Sequence, residues 1–321
     1  MISSLRLGPG AEFDRLRAIF ARLGSEGQGL GDDTALVRLG GTTLAASVDL
    51  SLEGVHFHTA WLSFAEIGWR ATAAALSDLA AEGAKPVGIL VSLGVPGGRG
   101  KGAEGRVDPG VEIMGGVAAA AKHVGAKVLG GDLVRAERYL VDVCVLGTAV
   151  RPVRRSGARP GDGVWVTGAL GGAALALDGF RSGAPPMGAL RRRFARPEPR
   201  IAAGRWLARH GARAMIDISD GLAADAGQLA AASGIALEIE LERIPCWAGV
   251  APRAAAASGE EYELLVALPR GFGDRSARAF TRASGLALTA IGRCAAGRGV
   301  RLTAAGRTVP APGGFDHFAA R

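Results

Sequence analysis

"AMIDISDGLAADAGQLAAASGIALEIELERI", residues 214–244, decides the fold. The apolar run "AMIDIS" reads as a strand. "DGLAADAGQLAAASG" has the spacing of a helix, and "ALEIELERI" reads as a second strand. Working outward, the same vocabulary recurs. "EFDRLRAIFARLG" is a first helix, and "ALVRLGGTTLAASVDL" is two strands around a Gly-Gly turn. "SFAEIGWRATAAALSDLAAEGAKP" is a long helix with Ser63 as N-cap and Gly83 and Pro86 near its end. "VGILVSLGVP", "AKVLGG" and "RYLVDVCVLGTAV" are strands, and "GVEIMGGVAAAAKHVG" is a helix. The fold class is therefore α/β to α+β. The Arg-, Gly- and Pro-rich "RPVRRSGARPGDGV" reads as a connector between a half at 1–150 and a half at 151–321.

Of the 321 residues, 48% are hydrophobic and 21% charged, ordinary values for a soluble chain with a sizeable core. The net charge of +8 admits an anionic partner, but the arginines are scattered in short runs, so nucleic-acid binding is not expected. Three distant cysteines without a CxxC argue against a disulfide framework or a zinc site. The start "MISSLRLGPGAEF" lacks the apolar core of a secretory signal, and no apolar run approaches the ~20 residues of a membrane span. A cytoplasmic protein is the expectation.

Several carboxylates sit where solvation is difficult. Asp78 lies in "AAALSDLAAEG" with Ala74, Ala75, Ala81 and Glu82 as its helical neighbours, none of them a cation. A buried unpaired carboxylate must be protonated, paired at long range or bound to a metal; a solvated helix face is the ordinary alternative. Asp217 stands between two isoleucines, and Asp220 opens the next helix behind Ser219. Asp49 and Asp132 read as strand ends, the latter behind two glycines, and Asp33 follows Asp32 in "GDDTALV". Ligands of α/β sheets bind at the carboxyl ends of strands. Carboxylates gathered there without cations suit a hard divalent ion such as Mg²⁺, which bridges protein oxygens to phosphate. There is no P-loop. "VTGALGGAA" is a glycine-rich turn whose amides could meet a phosphate, or a simple tight turn. His56 is a lone candidate ligand or a structural histidine.

"GDDTALV", "SVDLSLEGVHF", "ATAAALSDLAAEGAKP", "LGGDLVRA", "RRSGARPGD", "VTGALGG", "MIDISDGLAAD", "SGEEYELL" and "GGFDHF" together resemble, in order and spacing, the thiamine-monophosphate kinase family of the aminoimidazole ribonucleotide synthase superfamily. The resemblance runs from Glu12 to Phe318. It implies ATP-dependent phosphorylation of thiamine monophosphate by direct in-line transfer, with several Mg²⁺ ions. It implies an N-terminal α/β half forming a barrel in a homodimer, and a C-terminal α+β half. The metal positions of the family match Asp33, Ser47, Val48, Asp49, Asp78, Asp132, Asp217 and Asp220. The nucleotide positions match Gly131, Asp132, Arg155 and Ser219, and the substrate positions match His56, Glu260, Glu261, Tyr262 and Phe315. Asp217, Asp220 and Arg155 are the residues expected to carry catalysis. Asp32 is expected to support or cap.

The chain departs from the family pattern at four places. Val48 stands for a Thr, Glu261 for an Asp, and Phe315 for a Tyr or Trp, and "GGDLVRA" lacks the threonines that often follow GGD. The alternatives are other superfamily enzymes, with aminoimidazole ribonucleotide synthase the hardest to separate, or a non-catalytic basic nucleotide- or nucleic-acid-binding protein. Selenophosphate synthetase would need an early reactive Cys and the hydrogenase-maturation dehydratase a C-terminal one; neither is present.

Overall fold

A computed structural model describes residues 4–27, 29–97 and 107–318. In chain order the elements are α1 (Ala11–Leu23), β1 (Ala35–Leu39), β2 (Thr42–Leu52), α2 (Phe64–Ala81), β3 (Lys85–Pro96), α3 (Pro109–His123), β4 (Lys127–Ala136) and β5 (Leu140–Ala149). They continue with β6 (Gly163–Thr167), α4 (Gly172–Arg181), α5 (Gly188–Ala195), α6 (Ile201–Arg209), β7 (Ala214–Asp217), α7 (Leu222–Ser233) and β8 (Ala236–Glu240). The last are α8 (Pro252–Ala257), β9 (Leu264–Leu268), α9 (Asp274–Ser284), β10 (Leu288–Ala295), β11 (Gly299–Ala304) and β12 (Arg307–Val309). Two mixed sheets result. The first is ordered β1-β2-β5-β3-β4 and the second β12-β11-β8-β10-β6-β9-β7. Only β3–β4 and β8–β11 pair in parallel among these strands.

Side-chain alternation sets the layers. Along β5 every second residue is buried, the period of a sheet covered on one face. Val141, Val143 and Val145 face the helices, whereas Val48, Leu50 and Leu90 are exposed. In the second sheet both faces are covered. Trp165, Leu264, Val266 and Leu268 join the core shared with the first sheet and α2. Val164, Val166, Leu265 and Ala267 join a second core backed by α7.

Helix α2 lies between the sheets and is buried almost all round from Ile67 onward, as an apolar central helix must be. A capping box starts it: the Ser63 hydroxyl accepts from the Glu66 amide, and the Glu66 carboxylate accepts from the Ser63 amide. Its crossing with α3 uses two glycines. A Cβ on Gly68 would lie 1.9 Å from the Ile113 carbonyl oxygen, and one on Gly116 would lie 2.0 Å from that of Ala65. Arg70 and Asp78 thereby project from a rigid, buried rod.

Two strands run further than the sequence suggests. Asp49 is interior to β2, which pairs with β5 from Thr43↔Ala149 to Leu52↔Leu140. Asp132 is interior to β4, which pairs with β3 as far as Ala136. The Gly-Gly step does not end β4, because β3 continues the ladder past it. The two chain ends meet over α7. The Gly8 amide donates to Gln228, and Asp316 accepts from the Ala11 amide at 2.8 Å.

Candidate active site

Three carboxylates converge where the two sheets face each other across α2. Asp33 comes from the turn before β1, Asp78 from α2 and Asp217 from the end of β7. One oxygen of each lies within 4.8 Å of the others. Burial raises all three; Asp78, held well above the usual carboxylate range, also feels Asp217, Asp33 and Asp49. Asp33 is pushed up to about 7 by burial, which outweighs the opposing pull of Arg155. Asp217 rises to about 6, with burial again the main cause. Asp49 and Asp220, both raised to about 6 by burial, flank the group.

The partners of this group are few. Arg155 donates to Asp33 Oδ1 at 2.9 Å, and Asp33 Oδ2 is buried with no partner among the described residues. Ser47 donates to Asp78 at 2.5 Å. Burial opposes the charge of Arg155, yet the surrounding carboxylates, Asp33 foremost with Asp217 and Asp32, together outweigh it and hold the guanidinium more firmly protonated. An all-oxygen set of crowded carboxylates with an orphaned buried oxygen fits a hard divalent cation.

Asp32 plays a supporting part. It accepts from the Arg154 side chain at 2.6 Å and from the Arg155 amide at 2.9 Å, and so fixes the connector that carries Arg155. Glu82 stands beside it with both oxygens buried and unpartnered.

A cleft of about 690 Å³ opens from this group. Asp49, Asp78, Asp217, Ser219 and Asp220 line its inner end, and Val48 borders it. Aromatic and imidazole side chains (His56, Trp61, Tyr262, Phe315 and His317) line the cleft as well, together with Arg181, Glu260 and the aliphatic Val55 and Leu177. His56 Nδ1 accepts from the Leu52 amide at 3.0 Å, which places the proton of the neutral ring on Nε2. Burial, with His317 second, lowers its pKa. The imidazoles of His56 and His317 lie 5.1 Å apart, and Phe315 meets His317 edge-on at 4.7 Å. The terminal segment is anchored there by the Phe315 amide, which donates to the Asp220 carbonyl at 2.9 Å.

Some expected residues stand elsewhere. Gly131 and Asp132 are exposed on edge strand β4 and do not line the cleft. Asp132 accepts from the Leu133 amide. Glu261 is fully buried, with its side chain turned away from the cleft. Its Oε1 accepts from the amides of Gly171 (2.8 Å) and Ala173 (3.0 Å). The glycine-rich turn before α4 therefore spends these amides on Glu261 rather than on a phosphate.

The sequence reading passed over other residues. Arg70, buried in α2, pairs with Glu260 at 2.5 Å, donates to the Phe194 carbonyl and stacks 4.0 Å over the Phe194 ring. Glu12 lines the cleft, and Asp225 accepts from the Asp220 and Gly221 amides at the start of α7. The signal for Asp225 is an acid in the first turn of a helix.

Known proteins resemble the chain along most of its length. Residues 31–149 match the family model "AIR synthase related protein, N-terminal domain", and residues 159–305 match the C-terminal domain of the same description. A thiamine-monophosphate kinase of Halobacterium salinarum is 36% identical over 279 residues, covering 85% of this chain and 90% of that protein. One from Aquifex aeolicus is 34% identical and covers 91% of this chain and 94% of that protein. Among solved structures, AaThiL complexed with AMPPCP and TMP superimposes with a TM-score of 0.83 at 31% identity, over 96% of this chain and 97% of that one. The hydrogenase maturation protein HypE in complex with ATP shares the fold at 17% identity, with a TM-score of 0.68 over 88% of each chain.

Proposed function

The chain belongs to the thiamine-monophosphate kinase family, and from that premise we propose that it transfers the γ-phosphoryl group of ATP to the phosphate of thiamine monophosphate, giving thiamine diphosphate and ADP. The observation that carries this reading is one cleft with two unlike ends. Its inner end is the group of Asp33, Asp78 and Asp217. Its other walls carry the aromatic side chains Trp61 and Phe315, while Glu260, paired with Arg70, stands beside Asp49. A substrate with a phosphate at one end and a cationic heteroaromatic ring at the other fits that polarity, since aromatic faces attract cations.

Asp33, Asp49, Asp78, Asp217 and Asp220 would hold Mg²⁺, with the Ser47 hydroxyl and the Val48 backbone beside them. When bound, Mg²⁺ neutralises phosphate charge and orients the two reacting groups. Arg155 adds a fixed positive charge beside Asp33, and Ser219, which lines the cleft, would contact the nucleotide. The acceptor phosphate is already largely ionised near neutral pH, with a second pKa of about 6, so direct in-line attack needs no strong base. His56, Tyr262 and Phe315 would hold the ring end. Gly131 and Asp132 stand off this cleft.

We also propose a homodimer through the open face of the first sheet, where Val48, Leu50 and Leu90 lie exposed. Light scattering tests it: a mass twice that of the chain supports the assembly, and a monomer at working concentration rejects it.

Function is tested by incubating the protein with ATP, Mg²⁺ and thiamine monophosphate and separating the products. Thiamine diphosphate that is lost with EDTA supports the reading. Folded protein that binds Mg-ATP yet forms none rejects this substrate.

A further inference from the structure

The segment between α8 and β9 has two chemically opposite sides. Glu260 and Tyr262 adopt left-handed backbone, with φ of 57° and 49°, uncommon for residues other than glycine. Both line the cleft. Between and after them, Glu261 and Glu263 are turned inward and buried. Left-handed outliers of this kind persist only where the surroundings over-determine them.

Arg193, from α5, supplies that constraint. Its Nη2 donates to the Glu261 carbonyl at 2.5 Å and to Glu261 Oε2 at 2.7 Å. Its Nε reaches the same carboxylate at 3.1 Å, and its Nη1 reaches Glu263 Oε1 at 3.0 Å. One planar guanidinium thus holds the backbone between the two left-handed residues as well as the two glutamates around it. Arg200 and the Thr167 hydroxyl complete Glu263. On the cleft side, the Glu260 and Tyr262 amides donate to the carbonyls of Ser219 and Ile218. Arg193 itself does not line the cleft.

We propose that Arg193 is a positioning residue for the acceptor: by drawing Glu261 and Glu263 inward it sets Glu260 and Tyr262 on the wall of the cleft in which the acceptor binds. The identity of that substrate rests on the function proposed above; the positioning of the loop does not. Glu261, one methylene longer than the Asp expected there, reaches the α4 amides and Arg193 together.

Arg193→Lys tests the idea, because lysine keeps the charge but loses the fork that grips three acceptors. The expected result is a rise of about tenfold or more in KM for thiamine monophosphate, with kcat and the KM for ATP changed less than about twofold. Glu261→Gln should show the same split. Equal rises in both KM values, a fall in kcat alone, or a lower melting temperature with unchanged kinetics would overturn the proposal and leave Arg193 a structural ion pair. A crystal structure of Arg193→Lys provides a readout independent of turnover. Relaxation of Glu260 and Tyr262 out of the left-handed region is expected, and retention of both would overturn the proposal. Relaxation in a protein that never forms thiamine diphosphate would sink the substrate and keep the positioning role.

Discussion

Arg155 and Asp33 share a single 2.9 Å hydrogen bond that uses only one oxygen of the carboxylate and leaves the other buried without a partner. A structural ion pair would satisfy both oxygens. One oxygen of Asp33 also lies within 4.8 Å of an oxygen of Asp78 and one of Asp217, the other two members of the group. This half-used carboxylate is the strongest local argument for a cation.

Asp217→Asn keeps the size of the side chain and removes the charge. We expect kcat to fall by about 100-fold or more, the scale on which one electrostatic contact in an active site acts. Far-ultraviolet circular dichroism should be unchanged. Steady-state turnover at saturating Mg²⁺ checks this, and activity within a few-fold of the parent protein contradicts the role given to Asp217.

Stability should depend on pH with an unusual sign. Asp33, Asp49, Asp217 and Asp220 have native pKa values raised from 3.8 to about 6 or 7 by burial. The native state then binds protons more tightly than the unfolded chain across that window, so the cluster's contribution falls as pH rises. Melting temperature in EDTA should drop from about pH 4.5 to pH 7.5, and Mg²⁺ should reverse the loss, by about 2.7 kcal/mol at a hundred times its Kd. A metal-free melting temperature that climbs across the window contradicts the crowding of these carboxylates.

Much of this was legible in the sequence, for local reasons. Ser63 and Glu66 announce the start of α2, and the absence of a cation within four residues of Asp78 marks it as unpaired along its own helix. What was hidden depends on distant choices of partner. Arg70 has Glu66 four residues before it, the ordinary helical pair. Yet Glu66 is taken by Arg191 at 2.7 Å, and Arg70 turns to Glu260. Glu261 could not be placed because the flanking left-handed residues fix which side chains face the cleft. Asp132 looks like a strand end in the sequence alone, behind two glycines, but the long neighbouring β3 carries the ladder on to Ala136.

Phe315→Ala should weaken the ring end of the cleft alone. Loss of an aromatic face against a cationic ring costs about 1–2 kcal/mol, so KM for thiamine monophosphate should rise about 5- to 30-fold. The KM for ATP should hold. Parallel rises in both constants would place Phe315 in the nucleotide site instead.

Gly116→Ala tests the α2–α3 crossing on which Asp78 and Arg70 depend. The new methyl would lie 2.0 Å from the Ala65 carbonyl oxygen, and both atoms belong to rigid helices. We expect a loss of about 1–3 kcal/mol or more in urea unfolding. An unchanged midpoint would mean that the helices separate without cost.

The most direct test of the central claim is Mg²⁺-dependent formation of thiamine diphosphate from ATP and thiamine monophosphate, compared between the parent protein and Asp33→Asn. We expect product with the parent, none after EDTA, and a collapse in rate with the variant. Product formed equally by the variant, or none formed by folded parent protein that binds Mg-ATP, would contradict it.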